Sequence, residues 1–133
     1  MSTMQANPGT SGTFVPPELF GKLGSLTQAD ADNCGFGVIK LTDDGTIELY
    51  NRWQGELAGL QPQGTIGKNW FTQVAPCTNN GLVFGQFKKG VAAGNLNATF
   101  PYTFTFKMKP TNVKLHMYRD QSSSTNWVFC TNA

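Results

Sequence analysis

The last third of the chain leaves few folds open. Residues 99–108, TFPYTFTFKM, place Phe100, Tyr102, Phe104, Phe106 and Met108 at every second position. That is the spacing at which side chains share one face of a β-strand. Residues 111–119, TNVKLHMYR, alternate Val113, Leu115 and Met117 with Lys114, His116 and Tyr118. His116 is therefore expected on the solvent face of its strand. Residues 125–132, TNWVFCTN, form a third such run, and the connections KMKPTN and RDQSSSTN are turn-sized. Three consecutive strands joined this way predict hairpins in an antiparallel sheet. A chain of 133 residues with ten Phe, three Trp and three Tyr is long and aromatic enough to bury one core on such a sheet.

The rest of the chain completes the layout. FGVIKLT (36–42) and TIELYN (46–51) read as two more strands. The DDG between them, 43–45, is a hairpin signal, since Asp-Gly accepts the left-handed backbone that tight turns require. Residues 52–75 contain Gly55, Gly59, Pro62, Gly64 and Gly67, which break any long helix into short helical turns. In GLVFGQFKKGVAAGN (81–95), Leu82, Val83, Phe87 and Val91 predict the buried face of an amphipathic helix, stopped at Gly94-Asn95. PPELFGKLGSL, with prolines suited to a first helical turn, predicts short helical pieces packed as a cap. The expected fold is α+β: five antiparallel strands, short helices and one longer connecting helix. It divides into an N-terminal cap, 1–33 (with 1–13 flexible), and a core, 34–133.

Composition excludes several functions. Net charge is +2 and the lysines are scattered, so no basic stripe for nucleic acid exists. No apolar run approaches the length of a membrane span. The start, MSTMQANPGTSGTF, has no leader-like apolar stretch. A cytoplasmic, monomeric protein with reduced thiols is the expectation. Three cysteines, Cys34, Cys77 and Cys130, and one histidine lack metal-site spacing. Cys34 and Cys130 read as small apolar fillers. Cys77 lies in KNWFTQVAPCTNNG, between a proline and turn-forming polar residues. By residue type alone it is either ordinary packing or a sulfur that carries something.

The order of elements, and the words FGVIKL, YN, IGKNWFTQVAPCT, GNLN, YTF, WVF and a segment of the form M-x-P-T-x-V-K-x-H-M, resemble the photoactive yellow protein family of PAS domains from about residue 36 to 129. The resemblance implies a blue-light photoreceptor, not an enzyme. Its cofactor would be 4-hydroxycinnamic (p-coumaric) acid, linked as a thioester to Cys77. It implies that the phenol end is held as a buried phenolate by Tyr50 and the residue four positions on. It implies pocket walls from Ile39, Val74, Ala75, Pro76, Thr78, Phe104, Phe106 and Met108. A downstream signalling protein would read the light signal in trans.

Four positions depart from the family pattern, one of them Phe106, which stands where the family often has Tyr and so loses a polar contact. Gln54 stands where the family has Glu, so it can donate a hydrogen bond but not a proton. Leu60 replaces an Arg lid over the ring, keeping apolar cover and losing the guanidinium. Ala58 replaces a Thr that supports the tyrosine. Arg52 is expected to face solvent. The alternative functional reading is a non-photochemical PAS module that binds a ligand or another protein. A thiol enzyme would need His116 as base for Cys77. NCGF (33–36) is a poor match to a flavin motif and precedes the first strand.

Overall fold

The computed structural model describes residues 13–105 and 109–133. Residues 1–12, most of the stretch expected to be flexible, and Phe106 and Met108 lie outside the described residues. Five strands form one antiparallel sheet: β1 (Gly37–Leu41), β2 (Ile47–Tyr50), β3 (Asn97–Phe104), β4 (Thr111–Asp120) and β5 (Thr125–Asn132), in spatial order β2-β1-β5-β4-β3. The chain's last strand therefore lies at the centre. β1 pairs with it through Ile39 opposite Val128, and β4 through Met117 opposite Val128 from the other side. The Asp-Gly turn forms as expected, with Gly45 at φ 94°, where a Cβ would also strike the Phe71 ring.

Both faces of the sheet are covered. On one face, α1 (Pro17–Phe20), a 3-10 turn (Leu23–Ser25) and α2 (Gln28–Asp32) pack Phe20, Leu23 and Ala31 against Val38, Leu49, Trp127 and Phe129. Thr27 and Asp30 form a reciprocal cap at the start of α2, which satisfies two otherwise orphaned N–H groups. On the other face lie α3 (Arg52–Ala58), α4 (Pro62–Thr65), a π-helical turn (Trp70–Val74), a 3-10 turn (Pro76–Thr78), a second π-helical turn (Gly81–Gly85) and α5 (Gln86–Ala93). Trp70, Phe71, Val83 and Phe87 pack there on Ile39, Leu41, Leu115, Met117 and Val128.

This double cover corrects one sequence reading. His116 is fully buried, not solvent-facing. Phe20 packs on His116 and Tyr118 at ring distances of 5.6 and 4.7 Å. The cap lies over the polar register of β4 at His116 and partly at Tyr118, while Lys114 stays exposed. A second correction concerns Leu82, which is 49% exposed, while Phe84 stacks on Phe71 at 4.3 Å. The π-helical turn at Gly81–Gly85 rotates side chains away from the positions that a 3.6-residue repeat assigns. The helix stops where expected, at Gly94 with φ 74°.

Candidate functional site

Tyr50 owes its direction to a β-bulge. In the β1–β2 ladder, Lys40 faces Leu49 and Leu41 faces Ile47, so Glu48 is an extra residue. Strict alternation would put Ile47 and Tyr50 on opposite faces; the bulge brings both into one apolar cluster, opposite the face that holds Leu49. Tyr50 is 1% exposed. Burial pushes its hydroxyl pKa far up, with Cys130 adding to the rise and a hydrogen bond from Gln54 opposing it. The phenol is thus a permanent O–H donor at any physiological pH.

Gln54 sits on the first turns of α3, 2% exposed. Its position follows from Asn51, the helix cap. Asn51 Oδ1 accepts from the main-chain N–H of Gln54 at 3.1 Å and of Val38 at 3.0 Å. Asn51 Nδ2 donates to the carbonyls of Ala31 at 2.8 Å and Phe36 at 2.9 Å. All four hydrogen-bonding sites of one amide are used, which ties α2, β1 and α3 together. The Gln54 amide is different. Its side chain meets Tyr50, but Oε1 is buried with no hydrogen-bond partner among the described residues. That oxygen lies over Gly37, where a Cβ would collide with it; Cys130 Cβ is 3.1 Å from the same point.

Cys77 is half-buried and packs against the same apolar cluster. Pro76 opens its 3-10 turn, a position where the missing N–H costs nothing. Thr78 closes the turn, with Oγ1 donating to the Ala75 carbonyl at 2.6 Å and N–H to the same oxygen at 2.8 Å. The Cys77 carbonyl accepts from the Tyr102 hydroxyl and, at 3.1 Å, from Asn80 Nδ2.

Ile39, Tyr50, Val74, Ala75, Cys77 and Phe104 thus share one cluster, with Pro76 and Thr78 on the same turn and Gln54 beside Tyr50. Ala58 is half-buried at the end of α3. Leu60 is 39% exposed, so its side chain provides only partial cover. Arg52 is exposed, its guanidinium donating to the Asp32 carbonyl at 2.9 Å. Sequence reasoning passed over Gly37, Asn80 and Tyr102 as site residues. Tyr102 was legible only as one of the inward-facing ring residues of β3.

His116 stands away from this cluster, on the cap face, so it is not placed to serve as base for Cys77. Its Nδ1 meets Thr13 Oγ1 at 2.5 Å and its Nε2 meets Asn97 Oδ1 at 2.7 Å. An amide oxygen only accepts, so Nε2 carries the proton and Nδ1 accepts from the threonine. Burial lowers its pKa to about 4. Among the described residues no cluster of His, Cys, Asp or Glu forms a metal site, and no helix is long and apolar enough to cross a membrane.

The chain is 42% identical over 116 residues to the photoactive yellow protein of Rhodothalassium salexigens, an alignment that covers 87% of this chain and 93% of the relative. The crystal structure of the photoactive yellow protein domain from the sensor histidine kinase Ppr of Rhodospirillum centenum superposes with a TM-score of 0.80 at 35% identity, covering 85% of this chain and 99% of that one. The PAS domain of an HTR-like protein from Haloarcula marismortui matches with a TM-score of 0.60 at 16% identity, over 87% of this chain and 98% of that one, which shows the PAS fold alone. No protein-family model matches the chain.

Proposed function

The chain belongs to the photoactive yellow protein family, and on that premise we propose that Cys77 carries p-coumaric acid as a thioester, with its phenol oxygen held by Tyr50 and Gln54. The chain is a blue-light photoreceptor of that type. When bound, the p-coumaroyl group supplies the light absorption and the photoisomerisable double bond. The observation that carries the reading is the buried Tyr50–Gln54 pair beside the cluster that holds Cys77. The residues fit the group. The fit is by donors, the Tyr50 hydroxyl and Gln54 Nε2; the unpaired Gln54 Oε1 is an acceptor and does not pair with a phenolate.

Energetics decide how many donors the phenol oxygen needs. An ordinary phenol titrates near ~10, so ionisation at pH 7 requires a shift of roughly 3 units, or about 4 kcal/mol. Burial opposes this. A hydrogen bond to a charged acceptor contributes about 1.5–3 kcal/mol, so two donors meet the requirement and one falls short. Tyr50 keeps its proton because its own pKa is raised. Gln54 supplies the second donor through Nε2. An amide gives up no proton, so Gln54 leaves no buried carboxylate behind when the lit state forms. The proton that reaches the site then comes from solvent, and lit-state kinetics depend on bulk pH and buffer. The structural change on illumination is correspondingly smaller than in a Gln54→Glu chain, which amide hydrogen exchange measures.

The test is intact mass and absorption spectrum after incubation with activated p-coumarate, beside Cys77→Ala. The expected result is a mass increase matching one p-coumaroyl group and a visible band, both lost in Cys77→Ala. A native chain that stays colourless and unmodified supports the non-photochemical PAS module instead.

A further inference from the structure

The side chain of Asn80 joins three elements that are separate in the sequence. Its Nδ2 donates to the main-chain carbonyl of Cys77 at 3.1 Å and to the Tyr102 hydroxyl at 2.8 Å. Its Oδ1 accepts from the Val83 N–H at 2.9 Å, capping the helical turn that runs into α5. The Tyr102 hydroxyl, from β3, donates to the same Cys77 carbonyl. That carbonyl has two donors for its two lone pairs, and both polar atoms of the Asn80 side chain are engaged.

We propose that Asn80 is a positioning residue that, with Tyr102, clamps the main chain at Cys77 and couples it to the start of α5 and to β3. The inference rests on Cys77 being the attachment residue. A group on Sγ that changes shape loads the backbone of residue 77, whose φ and ψ are its softest degrees of freedom. A carbonyl held from two sides resists that rotation and biases the site back to its dark arrangement. Releasing either arm slows thermal recovery. Asn80 is at the surface, where water competes for the same donors, so the effect is severalfold.

Substitutions separate the clamp from the helix cap. Asn80→Asp retains an oxygen for Val83 N–H and loses both N–H donors. Asn80→Ala loses both functions, and Tyr102→Phe removes the other arm. In the full chain loaded with activated p-coumarate, Asn80→Asp and Tyr102→Phe each slow dark recovery after a flash by about three- to tenfold. The double variant is less than additive, because both act on one carbonyl. In the unloaded chain, Asn80→Asp raises amide exchange at residues 78–80 and leaves 83–93 unchanged, whereas Asn80→Ala raises both. Native recovery in Asn80→Asp with slowing confined to Asn80→Ala would reduce Asn80 to a helix cap. Native exchange at 78–80 in Asn80→Asp overturns the clamp as well. Failure of native Cys77 to accept the group sinks the chromophore reading, and the exchange measurement on the unloaded chain then decides the clamp by itself.

Discussion

Two buried amides, Asn51 under the cap and Gln54 on the opposite face of the sheet, are treated in opposite ways. Under the cap, Asn51 fills all four of its hydrogen-bonding sites, and His116 has a partner at each ring nitrogen. On the opposite face, three residues after Asn51, Gln54 keeps a buried oxygen with no partner among the described residues. Buried polar groups in folded proteins are nearly always paired, so an orphan marks a place where stability is not the only demand. The amide under the cap is built to hold; the amide on the other face is held less completely, with its oxygen left without a donor among the described residues.

Breaking Asn51 sharpens this contrast most. Asn51→Ala strands buried N–H and C=O groups in α2, β1 and α3 at once and is expected to destabilise the unloaded chain by about 3–5 kcal/mol, read by urea unfolding. Gln54→Leu removes an unsatisfied oxygen and is expected to change stability by less than about 1 kcal/mol in the unloaded chain. Equal losses for the two substitutions would erase the distinction between the two amides.

His116 gives the next largest effect. Its pKa is lower folded (about 4) than unfolded (near 6.5), so the unfolded chain binds more protons between those values. Stability is therefore full above about pH 6.5 and falls as pH drops toward 4, by at most about 3 kcal/mol. His116→Gln is expected to flatten that part of the pH–stability curve. A slope that survives the substitution would assign the titration to another group.

On the other face, Gln54→Glu in the loaded chain moves the absorption band toward the blue, because a stronger donor localises more charge on the phenol oxygen. An unmoved band means that Gln54 does not touch that oxygen. Gly37→Ala is expected to destabilise the chain by about 1–2 kcal/mol. The added Cβ meets Gln54 Oε1, the movable end of a side chain, and Cys130 Cβ at 3.1 Å. A loss well above that range would mean that β1 itself, and not the amide, must move.

Much of the fold was legible because local rules carried it. The Asp-Gly turn, the three C-terminal strands and the Gly94 stop each follow from a few adjacent residues. The same rules misplaced His116. Alternation shows that a strand has two faces but not that a cap covers the second one. Leu82 was misplaced because a π-helical turn shifts the phase of a repeat read at 3.6. At the site, Cys77, Tyr50 and Gln54 were legible from word-level resemblance, whereas Asn80 and Gly37 carry no signal until the loop and strand are folded against their neighbours.

By itself, then, the sequence determined which segments become strands, where the hairpin and the long helix end, and which cysteine sits on a proline-led turn, because those depend on neighbours within a few residues. Only the tertiary structure decided which way Tyr50 points, since one extra residue at Glu48 in the β1–β2 pairing reverses a side chain's face. Only it decided that His116 is buried and neutral and that the Gln54 oxygen goes unpaired. Burial and hydrogen-bond satisfaction belong to surfaces that meet across the fold, and no stretch of the chain contains both sides of such a contact.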